Sequence, residues 1–183
     1  MHHLWFTDKD YDTKGNYIKW NPAVKTERDR AGIWSGVLDN RIDVIATDHA
    51  PHTLEEKNQM YAKAPSGGPL VQHALLAMLE KSNEGFIQIE RVVEKMAHAP
   101  AVLFRIKNRG FIREGYHADI VLVNPNKTTT VSKENLLYKC GWSPFEGTTF
   151  SSSIDRTFVN GNLVFENNII IENSNGSRML FKI

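Results

Sequence analysis

The segment from Thr47 to His52 reads Thr-Asp-His-Ala-Pro-His and concentrates polar side chains that could do chemistry. It overlaps the end of an apolar, β-branched run, residues 42–47, which predicts a strand buried on both faces, as in parallel sheets covered by helices. In barrels built from parallel strands and covering helices, the reactive groups lie at the carboxyl ends of the strands. A carboxylate there, Asp48, can bind a divalent metal through oxygen and carry a proton to a leaving group. Spacing alone also allows a structural role, because an aspartate after a strand often caps the next helix.

Two histidines, a glycine pair and a cysteine are weaker candidates for chemistry. Adjacent His2 and His3 point to opposite faces of a strand, so at most one could share a metal with Asp48, and local hydrogen bonding is the simpler role. Residues 66–68, Ser-Gly-Gly, could bring backbone close to a ligand or form a plain loop-to-helix junction. They lack the lysine and the spacing of a phosphate loop, which excludes nucleotide binding. Cys140 has no base near it in sequence and receives no role.

The order of helix and strand signals predicts an α/β fold that would position these residues. Thr26 is a predicted N-cap, and the apolar residues 33, 34, 37 and 38 share one face of the helix after it. Residues 53–65 predict a polar loop, and Asn160-Gly161 is a strong two-residue hairpin signal. The other predicted elements are a helix introduced by residues 66–69, a helix over 88–96, a short helix from Pro100, strands over 118–123 and 128–131, hairpin strands over 156–159 and 163–165, and a tail strand over 178–183.

The composition of the 183-residue chain excludes several classes of protein. Its 22 lysines and arginines nearly balance 21 aspartates and glutamates, so no basic excess indicates a nucleic-acid partner. A single cysteine excludes an internal disulfide framework and fits a reducing compartment. No apolar run approaches the roughly 20 residues of a membrane helix, and the first residues lack the plan of a signal peptide. We therefore expect a soluble cytoplasmic protein with no membrane partner.

Two segments resemble dihydroorotases, which are cyclic amidohydrolases of pyrimidine biosynthesis. Residues 21–30 match the family's Asn-Pro segment followed by an acidic-Asp-Arg helix start, and residues 45–52 match its Ile-Ala-Thr-Asp-His-Ala-Pro-His block. The His52 ending discriminates, because the related hydantoinases and allantoinases usually diverge just after the Asp-His pair. The resemblance spans nearly the whole chain, since it continues through residues 63–67, 98–101, 115–123, 159–161 and 178–181.

The resemblance implies a fold and a division into domains. A full family member is more than twice as long as this chain and folds as a (β/α)8 TIM barrel with a small β-domain built from both termini. This chain is similar to the C-terminal portion of such a protein. Residues 1–108 are then predicted to be the C-terminal part of the metal-dependent hydrolase barrel, and residues 109–183 a C-terminal segment with strands of the small β-domain.

The resemblance also implies a cofactor and site residues. The complete family enzyme binds two zinc ions, and of its metal ligands only Asp48 is matched here. Asp48 would bind the more buried zinc and transfer a proton from the attacking hydroxide to the leaving amide nitrogen. His52 would hydrogen-bond the carboxylate of the substrate, Asn21 would bind the dihydroorotate ring, and the backbone of Ser66 and Gly67 would contact that ring. The zinc site is therefore predicted to be incomplete in this chain.

The leading functional hypothesis is a zinc-dependent dihydroorotase that interconverts L-dihydroorotate and N-carbamoyl-L-aspartate. One alternative is a hydantoinase-like or allantoinase-like cyclic amidohydrolase. Another is a catalytically inactive dihydroorotase-like subunit or scaffold. The resemblance implies a small-molecule substrate and a homodimer for the full-length enzyme. Because most of the family's metal ligands are absent, we expect the chain alone to be inactive.

Overall fold

The structure, a computed structural model, describes residues 1–172 and 176–182. Its backbone falls into two compact units, one formed by residues 1–77 and 130–149 and the other by residues 78–129 and 150–183. The predicted boundary at residue 108 concerns domains of the resembled family and stays a prediction. Within the described ranges, none of the helices is both long enough and apolar enough to cross a membrane.

Most of the regular elements of the first unit are helical. The α-helices are α1 (His2–Trp5), α2 (Tyr11–Lys14), α3 (Glu27–Leu38) and α4 (Leu54–Lys57), and α5 (Ala74–Asn83) begins here; 3-10 turns cover Asp8–Asp10, Gly15–Ile18 and Lys133–Asn135. The predicted polar loop over residues 53–65 thus contains one turn of helix. The helix expected directly after residues 66–69 starts only at Ala74.

The longest of these helices, α3, forms where its capping signal predicts it. The Thr26 hydroxyl accepts a hydrogen bond from the Asp29 amide, and the Asp29 carboxylate accepts one from the Thr26 amide at 3.1 Å. This reciprocal pair satisfies two backbone donors that the first turn of a helix leaves open. The predicted apolar face is buried through Trp34, whose indole donates to the Leu4 carbonyl at 3.0 Å. That bond fixes α3 against α1, the helix that precedes the candidate site.

The predicted strand over residues 42–47 is wrong, because in the described part of the chain this extended segment pairs with no neighbouring strand. The Met1 ammonium donates to the Ala46 carbonyl at 2.8 Å. The first β-bridge after this segment is a parallel one between His49 and Gly68. Apolar, β-branched composition favours extended backbone. A strand forms only where an adjacent strand supplies hydrogen-bond partners, and composition does not report such a neighbour.

The core of the first unit is aromatic. Phe6 lies between Trp20 and Phe145, with ring centroids 5.9 and 5.4 Å apart, and all three rings are buried. His2 stacks on Trp20, with the two ring centroids 4.5 Å apart. The segment around Phe145 therefore packs against the start of the chain.

The second unit combines consecutive helical turns with an antiparallel sheet. The turns are α6 (Ile89–Val93), a π-helical turn (Glu94–His98) and α7 (Ala99–Leu103). The sheet has the order β1-β4-β5-β6, with β1 (Ile120–Asn124), β4 (Ser153–Val159), β5 (Asn162–Glu166) and β6 (Ile169–Ile170), and β2 (Thr129–Thr130) pairs separately with β3 (Thr149–Phe150).

The sheet confirms the predicted hairpin around Asn160-Gly161. Both residues have positive φ, 52° and 82°, as a two-residue primed turn requires. The tail strand predicted over 178–183 is reduced to one antiparallel bridge between Ile106 and Phe181, and Ile183 lies outside the described residues. Strands β3 and β6 were not predicted, since two residues are too few for a periodic signal.

Candidate active site

Asp48 lies exposed on a backbone with φ of 49°, directly after the extended segment. Aspartate tolerates this left-handed conformation better than most residues, and the turn ends the extended segment at the carboxylate. The charge of Asp48 acts on two neighbours, the Met1 ammonium and the His3 imidazole, and favours their protonated forms. Burial outweighs it in both cases, lowering the pKa of the Met1 ammonium to about 6 and the pKa of His3 below its ordinary value. The Asp48 carboxylate is thus accessible and close to basic groups.

The imidazole of His49 is fixed by backbone donors that occupy its Nδ1. This nitrogen accepts hydrogen bonds from the amides of Leu70 and Val71, at 3.1 and 3.3 Å. A neutral imidazole that accepts at Nδ1 carries its proton on Nε2. The ring centroid lies 5.5 Å from that of Tyr138. His49 therefore ties the end of the Asp48 turn to the segment that leads into α5.

His52 contacts the predicted substrate loop directly. Its Nε2 donates to the Ser66 carbonyl at 3.0 Å, and its Nδ1 lies 3.7 Å from a carboxylate oxygen of Glu56. The His52 carbonyl accepts from the Trp142 indole at 2.7 Å. Glu56 is itself fixed as the third residue of a capping box with Thr53 at the start of α4. The imidazole is held between a backbone carbonyl and a carboxylate.

Gly67 requires the absence of a side chain. Its φ is 124°, a region that essentially only glycine adopts. A Cβ here would come within 2.6 Å of the Ala50 carbonyl oxygen and 3.3 Å of His52 Nε2. The structure therefore brings His52, Ser66 and Gly67 together, and their contact with a substrate stays a prediction.

Asn21 is exposed, and in the described part of the chain no hydrogen bond joins its side chain to Asp48 or His52. It follows the buried Trp20, whose ring lies 3.1 Å from where a Cβ of Gly68 would be. Its neighbour in sequence thus packs under the same loop. The structure places Asn21 near that loop through the backbone and leaves its predicted contact with a substrate ring a prediction.

Three residues at the site escaped the sequence analysis: Lys57, Tyr138 and Trp142. The Lys57 ammonium is buried and donates to loop carbonyls. The Tyr138 hydroxyl accepts from the Gln72 amide at 2.9 Å. Burial raises the pKa of that hydroxyl above its usual range. Aromatic residues in the segment 138–145 were a usable signal, because a buried indole or phenol needs a polar partner. The identity of those partners, 66 to 90 positions away, cannot be read from one sequence.

The residues present do not fit a zinc ion by themselves. Within residues 1–172 and 176–182, no group of three or more His, Cys, Asp or Glu side chains could hold a metal. A catalytic zinc normally has three protein ligands. Buried His2 has an Nδ1 without a hydrogen-bond partner, but its ring is stacked on Trp20, and His49 uses its Nδ1 on two amides. Asp48 is a single accessible oxygen donor.

Comparison with known proteins gives consistent matches along the chain. The model of the amidohydrolase family matches residues 6–164. A dihydroorotase of Pyrococcus abyssi is 37% identical over 179 residues, which are 98% of this chain and 42% of the relative. A dihydroorotase of Halobacterium salinarum is 39% identical over 146 residues, 80% of this chain and 35% of the relative. The chain thus spans about two fifths of the length of the curated relatives it matches.

Solved structures of hydantoinases share the fold. The L-hydantoinase (dihydropyrimidinase) of Arthrobacter aurescens superposes with a TM-score of 0.86 at 28% identity, covering 93% of this chain and 39% of that protein. A D-hydantoinase (dihydropyrimidinase) of Thermus sp. gives a TM-score of 0.85 at 19% identity, covering 96% and 40%. The second likeness concerns the fold alone.

Proposed function

Because this chain belongs to the amidohydrolase family, we propose that it supplies the C-terminal part of a dihydroorotase. The family match and the dihydroorotase relatives confirm the resemblance predicted from residues 21–30 and 45–52, and the solved neighbours confirm the α/β class of the fold. The reaction proposed for the whole protein is opening of the cyclic amide of L-dihydroorotate to N-carbamoyl-L-aspartate, and its reversal.

The observation that carries the proposal is the 37% identity to a dihydroorotase along 98% of the chain. The geometry supports it at the site, where an exposed carboxylate stands next to a loop held by a histidine. Asp48 leads into residues 49–52, and His52 contacts the loop through the Ser66 carbonyl.

We assign proton transfer to Asp48. In amide hydrolysis a water oxygen bonds to the ring carbonyl carbon, the ring C–N bond breaks, and the nitrogen leaves with a proton. The Asp48 carboxylate would accept the water proton during attack and return it to the leaving nitrogen, which is the balanced exchange of a general base that becomes a general acid. Because the residues of this chain do not complete a zinc site, Asp48 would be its contribution to a metal centre whose other ligands lie outside this chain.

We assign substrate binding to His52, Asn21 and the backbone of residues 66–67. The His52 Nε2–H that now donates to the Ser66 carbonyl is the donor that a substrate carboxylate would compete for. Asn21 offers both a donor and an acceptor to the ring amides. The small-molecule substrate follows from the family, and a homodimer of the full-length protein remains part of the proposal.

A hydantoinase-type reaction is the second candidate. The L-hydantoinase of Arthrobacter aurescens favours it, since the identity of 28% accompanies a TM-score of 0.86 over 93% of the chain. Both reactions open a cyclic amide, so the same proton transfer by Asp48 would serve either one. The substrates differ in the carboxylate that dihydroorotate carries, and this is the group assigned to His52.

A substrate panel on a chimera tests the proposal. In the chimera, this chain replaces the matching portion of the Pyrococcus abyssi dihydroorotase, and turnover of L-dihydroorotate, hydantoin and allantoin is measured. We expect L-dihydroorotate to have the highest kcat/KM. Preference for hydantoin would favour the second candidate. A folded chimera that turns over none of the three, beside an active parent enzyme, would contradict both.

A further inference from the structure

Lys57, the last residue of α4, carries a buried ammonium whose partners are backbone carbonyls. Only 1% of the residue is exposed. Its Nζ donates to the Pro65 carbonyl at 3.0 Å and to the Gly67 carbonyl at 2.8 Å. The same nitrogen lies 5.6 Å from the centroid of the buried Trp142 ring. The ammonium thus joins α4 to both sides of Ser66.

Burial of a lysine ammonium is unfavourable unless its donors are satisfied. Desolvation, together with the smaller effect of the nearby charge of Lys19, lowers the pKa of Lys57 to about 8. Two carbonyl oxygens and an aromatic face are the compensation that the structure provides. The converse also holds, since without the ammonium the carbonyls of half-buried Pro65 and buried Gly67 would lose this donor.

A second lysine holds the preceding part of the same loop. Lys19 Nζ donates to the carbonyls of Tyr61 and Ala64, each at 2.6 Å, and the Lys19 carbonyl accepts from the Gly67 amide at 2.9 Å. Carbonyls along residues 61–67 are therefore turned toward lysine donors. The backbone of Gly67 is then held so close to the Ala50 carbonyl that a Cβ would not fit.

We propose that Lys57 is a positioning residue of the amidohydrolase site, whose ammonium fixes the Ser66–Gly67 backbone for contact with substrate. The proposal rests on the proposed function, because that function assigns substrate contact to these two residues. Lys57 acts through the loop and does not touch the reacting atoms. Its loss should therefore weaken substrate binding and leave the chemical step largely intact.

Hydrogen exchange on the 183-residue chain tests the structural half of the proposal without any activity. Lys57→Met should speed exchange of the Gly67 amide, because the loop opens more often once two of its carbonyls lose their donor. Lys9→Met removes an exposed lysine of the same unit and should leave that rate unchanged. If Lys57→Met does not fold, Lys57→Gln, which replaces the charged ammonium with a shorter neutral amide, takes its place and should speed Gly67 exchange by a smaller factor. Unchanged Gly67 exchange in the folded variant would overturn the proposal.

Kinetics of the chimera test the functional half. Lys57→Met should raise KM for L-dihydroorotate roughly tenfold, about the loss of one hydrogen bond between the substrate and the loop backbone, with kcat little changed. Lys57→Arg keeps charged donors and should recover part of the loss, whereas Lys9→Met should match the parent. An unchanged KM beside faster Gly67 exchange would overturn the role of Lys57 in substrate binding while leaving the proposed function intact. An inactive parent chimera would contradict the proposed function, and the exchange measurement would still decide whether Lys57 holds the loop.

Discussion

The proton transfer proposed for Asp48 depends on a carboxylate that is accessible and charged. Its side chain is exposed, its backbone has positive φ, and the basic groups of Met1 and His3 are close enough for the pKa of each to respond to its charge. The residue type and its position after an apolar run were sufficient to single out Asp48 from sequence. Its left-handed backbone was not predictable, because φ at one residue is set by contacts on both sides.

Asp48→Asn in the chimera should lower kcat for L-dihydroorotate by at least about 100-fold, because an amide cannot accept and return the proton and general acid–base groups contribute this much. Asp12→Asn removes an exposed carboxylate of α2 and is the matched control. Steady-state kinetics of the two variants beside the parent give the comparison. Retention of more than about a tenth of the parent kcat in Asp48→Asn would exclude the shuttle role.

His52→Ala should act on substrate binding and not on metal content. The imidazole donates to the Ser66 carbonyl and is proposed to bind the substrate carboxylate, so its removal should raise KM for L-dihydroorotate while zinc stays bound to the chimera. Elemental analysis of the purified chimera measures the zinc. Loss of zinc in His52→Ala would show that the residue is a metal ligand and that its assignment to the substrate is wrong.

At the scale of elements, local signals predicted local structure well. The capping pair Thr26 and Asp29 predicts the start of α3, and Asn160-Gly161 predicts the turn between β4 and β5, because each signal depends only on residues close in sequence. The start of α5 was predicted too early. The amides of Leu70 and Val71 donate to His49 Nδ1, so these backbone groups before Ala74 bind a side chain of the site and form no helix.

Elements that depend on distant partners could not be predicted in the same way. The run 42–47 has the composition of a strand, yet the described residues give it no strand to pair with. Residues 138–142 reach the site through Tyr138 and Trp142. Tyr138 bonds to a residue 66 positions away in sequence, and Trp142 bonds to one 90 positions away. Composition and periodicity carry no information about which of many distant segments supplies such a bond.

The loop that contains Gly67 allows a test at this scale. Gly67→Ala should destabilise the chain by about 3 kcal/mol or more, because the unfavourable φ adds to overpacking against the Ala50 carbonyl. Gly15→Ala is the matched control, since Gly15 also has positive φ but nothing lies within 4 Å of its added Cβ, and it should cost only the backbone strain, about 2 kcal/mol. Urea unfolding of the two variants measures both free energies. Equal destabilisation would mean that the close approach to Ala50 is not rigid.

At the scale of the whole molecule, the chain covers 42% of its Pyrococcus abyssi relative, and its described residues hold one candidate metal ligand, Asp48, at the site. The proposed activity therefore belongs to this chain joined to residues outside it.

Reconstitution is the most direct test of this central claim. The 183-residue chain, the separately expressed remainder of the Pyrococcus abyssi dihydroorotase, and a mixture of the two are each assayed with L-dihydroorotate in the presence of zinc. We predict turnover only in the mixture, and its loss when the chain carries Asp48→Asn. Turnover by the chain alone at the rate of the mixture would contradict the account, because it would mean that residues to which we assign no metal role, such as His2, His3 and His49, suffice for the chemistry.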